Sequence, residues 1–157
     1  RSCSDADPTN SGNCQLEGTM SVEKIKELIS RNDQLGKLLG VSLVEVGEGR
    51  ACAELKVGRD HLNAAGVAHG GAIFTLADIA LAAAANSYGN ITLLTNGNIQ
   101  VFHATQEGDT LCAKATEISA SRRLAHYRIE VTNGAGEQIA VYNATVYKTS
   151  APLPESD

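Results

Sequence analysis

The stretch Asn63-Ala-Ala-Gly-Val-Ala-His-Gly-Gly-Ala-Ile-Phe-Thr-Leu-Ala-Asp78 decides how this chain is read. From Gly70 the sequence turns apolar and stays so to about Ser87, which predicts a helix, with Gly89 behind it as a natural residue to end on. The Ala82-Ala-Ala-Ala85 segment has strong helix propensity and little bulk, so another backbone can approach closely. Such a helix belongs in a core, yet it carries Asp78, and an unpaired carboxylate there is costly unless it has a partner or a polar cavity. At the helix start, Gly70 and Gly71 have no Cβ. A ligand atom can therefore reach first-turn N–H groups, which have no intrahelical acceptor and lie at the positive end of the helix dipole. Carbonyl-polarising donors followed by an acid are the parts of an acyl-transfer site.

Outward from this stretch the periodicity is regular. Val22, Ile25, Leu28, Ile29, Leu35, Leu38 and Leu39 recur at helical spacing after Ser21, with Asn32-Asp33 as a break, which predicts an N-terminal helix or helix pair. Val41 to Val46 and Ala51 to Val57 alternate about Gly47-Glu48-Gly49 and should form a hairpin, and Gly58 to Ala68 is then the loop that delivers Asn63 and His69. Four strands follow: Thr92 to Phe102, Thr110 to Ser119, Leu124 to Thr132 and Gln138 to Tyr147. Their turns are Glu107-Gly108-Asp109, Ser121-Arg122-Arg123 and Asn133-Gly134-Ala135-Gly136. Two strands, a buried helix and four more strands describe an α+β domain in which an antiparallel sheet wraps around a central helix. Residues 1–19 are polar and aperiodic and are read as a leader outside the fold, 20–148 as the domain, and 149–157 as a free tail.

Composition narrows the function. A chain of 157 residues has room for one domain, and its net charge of −5 disfavours a nucleic-acid partner. The longest apolar run, Ile79 to Ala85, falls far short of the roughly 20 residues needed to cross a bilayer, so no membrane association is expected. Cys3, Cys14, Cys52 and Cys112 lack metal-binding spacing. Cys52 and Cys112 read as small core residues in strands, and reduced thiols fit a cytoplasmic setting. Neither His103 nor His126 has spacing that implies a metal.

HGGAIFTLAD, with Asn63 six residues before His69 and Asn86-Ser87-Tyr88-Gly89 behind it, resembles the phenylacetate-pathway (PaaI-type) branch of the hotdog-fold acyl-CoA thioesterases. The likeness runs from about Gly36 to Tyr147. It implies a hotdog fold, an acyl-CoA substrate, no cofactor, and a homodimer or homotetramer with active sites shared between subunits. It implies that Asp78 activates water or attacks the thioester directly, acting from one subunit on substrate held by another. It further implies that the Gly70 N–H polarises the carbonyl with Gly71 beside it, that Asn63 helps hold that carbonyl, and that His69 orients the leaving sulfur. The hydroxyl residue that often orients the water in this family falls on Thr95, near Asn98 on the strand expected to face the helix. Arg122 and Arg123 are candidates for the phosphates of coenzyme A, since guanidinium forks bind phosphate bidentately. Two alternatives share the same pocket: a non-catalytic acyl-CoA sensor, and a hydroxyacyl-thioester dehydratase, whose proline-rich approach to the helix is missing from Asn63 to Ala68.

Overall fold

The computed structural model describes residues 20–154, so the readings of 1–19, with Cys3 and Cys14, and of 155–157 lie outside the described residues. Helix α1 (Val22–Asn32) starts at Ser21, whose hydroxyl accepts the Lys24 N–H, and it buries Ile25 and Leu28. Asp33 ends α1 and opens α2 (Gln34–Leu39) by accepting the Gly36 N–H at 2.7 Å, which accounts physically for the break expected there. Strands β1 (Ser42–Gly47) and β2 (Arg50–Lys56) form the expected hairpin, and a single 3-10 turn, Arg59–His61, leads into the loop before α3 (Gly70–Asn86). Four strands complete the chain: β3 (Asn90–Val101), β4 (Thr110–Ala120), β5 (Leu124–Thr132) and β6 (Gln138–Pro152).

The sheet order is β1-β2-β4-β5-β6-β3, with every neighbouring pair antiparallel. Helix α3 packs against one face of the sheet. Leu76, Ala77, Ala80, Ala83 and Ala84 of the helix are buried together with Ala53, Leu55, Ala113, Ile129 and Val131 of the sheet. Alanines on both sides let the sheet wrap closely around the helix, and this is the hotdog arrangement.

Two expectations need correction. Residues 149–152 are not a free tail: β6 continues to Pro152, which pairs with Asn90, and the Thr149 hydroxyl donates to the Ile91 carbonyl at 2.7 Å. Strand β3 begins earlier than its apolar residues announce, and β6 lengthens to match it. Cys52 and Cys112, free thiols as expected, are not core residues. They alternate with the buried Ala51, Ala53, Leu111 and Ala113, so they occupy the sheet face away from α3, with their sulfurs 3.0 Å apart. Partial burial, with the neighbouring sulfur adding to it, pushes the Cys52 thiol up to about 12.

Among the described residues, the β3 edge of the sheet has no strand paired to it. Strand β3 exposes Leu93, Leu94 and Val101, and Phe102 just beyond it is exposed as well.

Candidate active site

The loop before α3 is built on Asn63. Its Oδ1 accepts the N–H groups of Ala65 at 2.9 Å and Val67 at 3.3 Å. Two donors on one atom fix which end of the amide is oxygen, so Nδ2 is the end that points elsewhere as a donor. Asn63 thus caps the loop through its oxygen and has its amide N–H groups on the other end. His69 is the N-cap of α3, its Nδ1 accepting the Gly71 N–H at 2.9 Å. That bond places the hydrogen of the neutral ring on Nε2. It also occupies the Gly71 N–H, so Gly71 supports the cap.

Gly70 is the first helical residue, and a Cβ added to it would stand in open space. Its N–H lies at the helix start, where the helix supplies no acceptor. Gly70 and Asn63 line one cavity of about 280 Å³ with Val67, Ile73, Phe102 and His103. His103 had no role assigned from sequence, and its Nδ1 lies 3.6 Å from the Glu137 carboxylate.

Asp78 is not in that cavity. It lies eight residues further along α3 than Gly70, which at about 1.5 Å per residue is a separation of about 12 Å along the axis. Its carboxylate is half-buried and accepts the hydroxyl of Tyr142, on β6, at 3.2 Å. Burial raises its proton affinity, the Tyr142 hydrogen bond opposes that, and the charge of Asp33 adds to it; the balance lies above the ordinary carboxylate value. Sequence reasoning missed Tyr142, which lies 64 residues from its partner.

The remaining candidates separate. The Thr95 hydroxyl, at an irregularity in the β3 pairing, donates to the Thr145 carbonyl at 3.0 Å. Asn98 does not face the helix. A Cβ on Gly97 would point into the Tyr142 ring and Ile99 packs on the core, so the intervening Asn98 takes the outer face. Arg122 and Arg123 are exposed near the far end of α3. There Arg122, Lys148, Glu117, Tyr88, Tyr127 and Ala85 help to line a cavity of about 480 Å³, whereas Arg123 offers its carbonyl to the Lys148 N–H. The Glu117 carboxylate accepts the Tyr127 hydroxyl at 2.7 Å and the Tyr88 hydroxyl at 3.4 Å. No cluster of His, Cys, Asp and Glu able to hold a metal occurs among the described residues.

Comparison with known proteins bears on the family and the fold. The thioesterase superfamily profile matches residues 65–140. An Archaeoglobus fulgidus protein provisionally named an esterase is 41% identical over 133 residues, 85% of this chain and 86% of its own length. The acyl-coenzyme A thioesterase PaaI of Escherichia coli is 31% identical over 122 residues, 78% of this chain and 87% of that protein. The solved structure of E. coli PaaI aligns with a TM-score of 0.82 at 27% identity, covering 85% of this chain and 96% of that one. A Streptococcus mutans protein solved with acetyl-CoA bound aligns with a TM-score of 0.69 at 26% identity, covering 72% and 91%. By its sheet, its buried central helix and these relatives, the chain belongs to the PaaI-type hotdog thioesterase family.

Proposed function

We propose that this enzyme hydrolyses acyl-CoA thioesters at a site completed by two copies of the chain. The observation that carries the reading is the separation on α3: the donors for a carbonyl lie at Gly70 and Asn63, while the half-buried acid lies about 12 Å further along the same helix. A base must come within hydrogen-bond reach of the water it activates, so one chain holds two halves of different sites. A two-fold axis near residue 74 sets the helices antiparallel and brings Asp78 of one copy level with Gly70 of the other. The bare β3 edge, with Leu93, Leu94 and Val101 exposed, supports pairing with a second copy.

The substrate carbonyl accepts hydrogen bonds from the Gly70 N–H and the Asn63 amide, which stabilise the oxyanion as it forms. Asp78 takes a proton from water as the water oxygen bonds to the carbonyl carbon. Its raised proton affinity makes it a stronger base than an exposed carboxylate. The tetrahedral intermediate collapses with cleavage of the C–S bond; the Nε2–H of His69 supports the departing thiolate, and the proton held by Asp78 passes to that sulfur through solvent, restoring the base. The products are the free acid and coenzyme A, and no cofactor enters the balance. In the paired arrangement, Ala85 and the larger cavity of the Asp78-bearing copy lie about 10 Å further along the helix, at seven residues of rise. Arg122 is therefore placed to meet the nucleotide end of coenzyme A, with Arg123 adding to the positive field.

A panel of acyl-CoA esters assayed for free thiol tests the reading. The parent enzyme should release coenzyme A, and Asp78→Asn, which keeps size and loses basicity, should be at least about a hundredfold slower with its assembly unchanged. Binding of acyl-CoA by the parent without thiol release would instead make the chain a sensor.

A further inference from the structure

We infer that Tyr142 is a positioning residue that holds the Asp78 carboxylate in its working orientation, and that Gly97 is glycine to let it do so. The inference rests on the catalytic reading of Asp78. Tyr142 is fully buried on β6, its ring packs against Phe74 at a centroid distance of 5.0 Å, and its hydroxyl donates to Asp78 Oδ1 at 3.2 Å. The ring lies across the neighbouring edge strand at Gly97, where an added Cβ would stand 2.5 Å from the hydroxyl and from Cε2. Real side chains do not approach so closely, and a buried ring packed on Phe74 has little room to retreat. Three elements thus converge: α3 supplies the acid, β6 the donor, and β3 the gap through which the donor reaches.

A carboxylate on an apolar helix is free to rotate and prone to take a proton. One neutral donor corrects both, fixing one oxygen and leaving the other for water, and favouring the charged form that acts as base. Among the described residues, the ionisable groups that bear on Asp78 are Tyr142 from β6 and Asp33 from the junction of α1 and α2, the first favouring the anion and the second opposing it. Burial and the Asp78 charge hold the Tyr142 hydroxyl well above the ordinary phenol value, so it remains a donor throughout the working range.

The sign follows. Turnover needs Asp78 deprotonated, so activity falls as pH drops through its pKa, and loss of the donor raises that pKa. In Tyr142→Phe, which keeps the ring and its packing, the acid limb of the kcat/KM profile should move up by about one pH unit, the scale of one hydrogen bond to a charged group. kcat should fall with KM little changed. Gly97→Ala, which pushes the hydroxyl away from Asp78, should move the limb the same way without touching either partner. A role confined to packing predicts an unmoved acid limb in Tyr142→Phe, and that result overturns the inference. Asp78→Asn keeps the two failures apart. If it retains turnover, the reading of Asp78 fails and the role of Tyr142 with it; if it is inactive while the Tyr142→Phe limb stays put, only the role of Tyr142 fails.

Discussion

The two ends of α3 are built in opposite ways. At the N-terminal end, Asn63, His69, Gly70 and Gly71 come from one short stretch and are fixed by local hydrogen bonds: a loop cap at Asn63 and a helix cap at His69. At the C-terminal end, the cavity draws Ala85 from the helix, Glu117 and Ala120 from β4, Arg122 from a turn, Tyr127 from β5 and Lys148 from β6. The first end is small and presents backbone and amide donors suited to one oxygen atom. The second is wider, at about 480 Å³ against about 280 Å³, and mixes tyrosines, a carboxylate and cations. The difference is one of construction: donors fixed by local sequence at one end, and a cavity walled by residues that only the fold brings together at the other; under the proposed function the first would hold the reacting carbonyl and the second the long substrate.

The sharpest break in this comparison removes one N–H donor from the N-terminal end. Gly70→Pro deletes the N–H at the first helical position, where proline is well tolerated, and His69 already has the φ of −64° and ψ of 135° that a residue before proline favours. The helix should survive and kcat should drop about a hundredfold or more, the scale of losing one oxyanion donor. Gly70→Ala keeps the N–H and meets open space, so it should remain close to the parent. Equal losses in the two variants would mean that Gly70 matters for its missing side chain and not for its N–H.

The same contrast explains what could be read in advance. The motif from Asn63 to Asp78, the hairpin about Gly49, the helix start at Ser21 and the break at Asn32-Asp33 are local, and residue type and periodicity announced them. Tyr142 was silent, because its hydroxyl matters only through a contact 64 residues away, and so was Gly97, whose reason is the ring of another strand. The face that Asn98 takes was not legible, because β3 is exposed on nearly every residue and carries no alternation to set its register. Cys52 and Cys112 misled for a related reason: flanked by buried alanines, they offer too little contrast in polarity to tell inside from outside.

A smaller but more diagnostic effect tests whether the halves belong to different copies. Asp78→Asn and Gly70→Pro chains should each be nearly inactive alone. Co-expressed in equal amounts, half of the dimers should be hybrids, each with one site combining an intact Gly70 and an intact Asp78 and one site with neither. Activity should recover to about a quarter of the parent. If the mixture stays at the level of the single variants, each site is completed within one chain, and the separation of Gly70 and Asp78 along α3 must be closed by movement instead.

The smallest expected change lies at the far end. If Arg122 and Arg123 meet the phosphates of coenzyme A, replacing both with alanine removes binding that is the same in ground and transition states, so KM for acyl-CoA should rise several-fold while kcat holds. Both side chains are exposed, so the contribution is modest and screened, and added salt should raise KM for the parent in the same direction. An acyl-pantetheine has no nucleotide to lose, and the double variant should treat it as the parent does. The single variants then separate the pair. Arg122 lines the cavity and should carry most of the KM effect, whereas Arg123 contributes a backbone contact, its carbonyl accepting the Lys148 N–H, which survives replacement by alanine. A double variant that loses equally on full and truncated thioesters would show that the turn is structural. The far cavity would then hold the acyl group, and the nucleotide would have to be met near Gly70, where the smaller cavity places His103 and Phe102 in its wall.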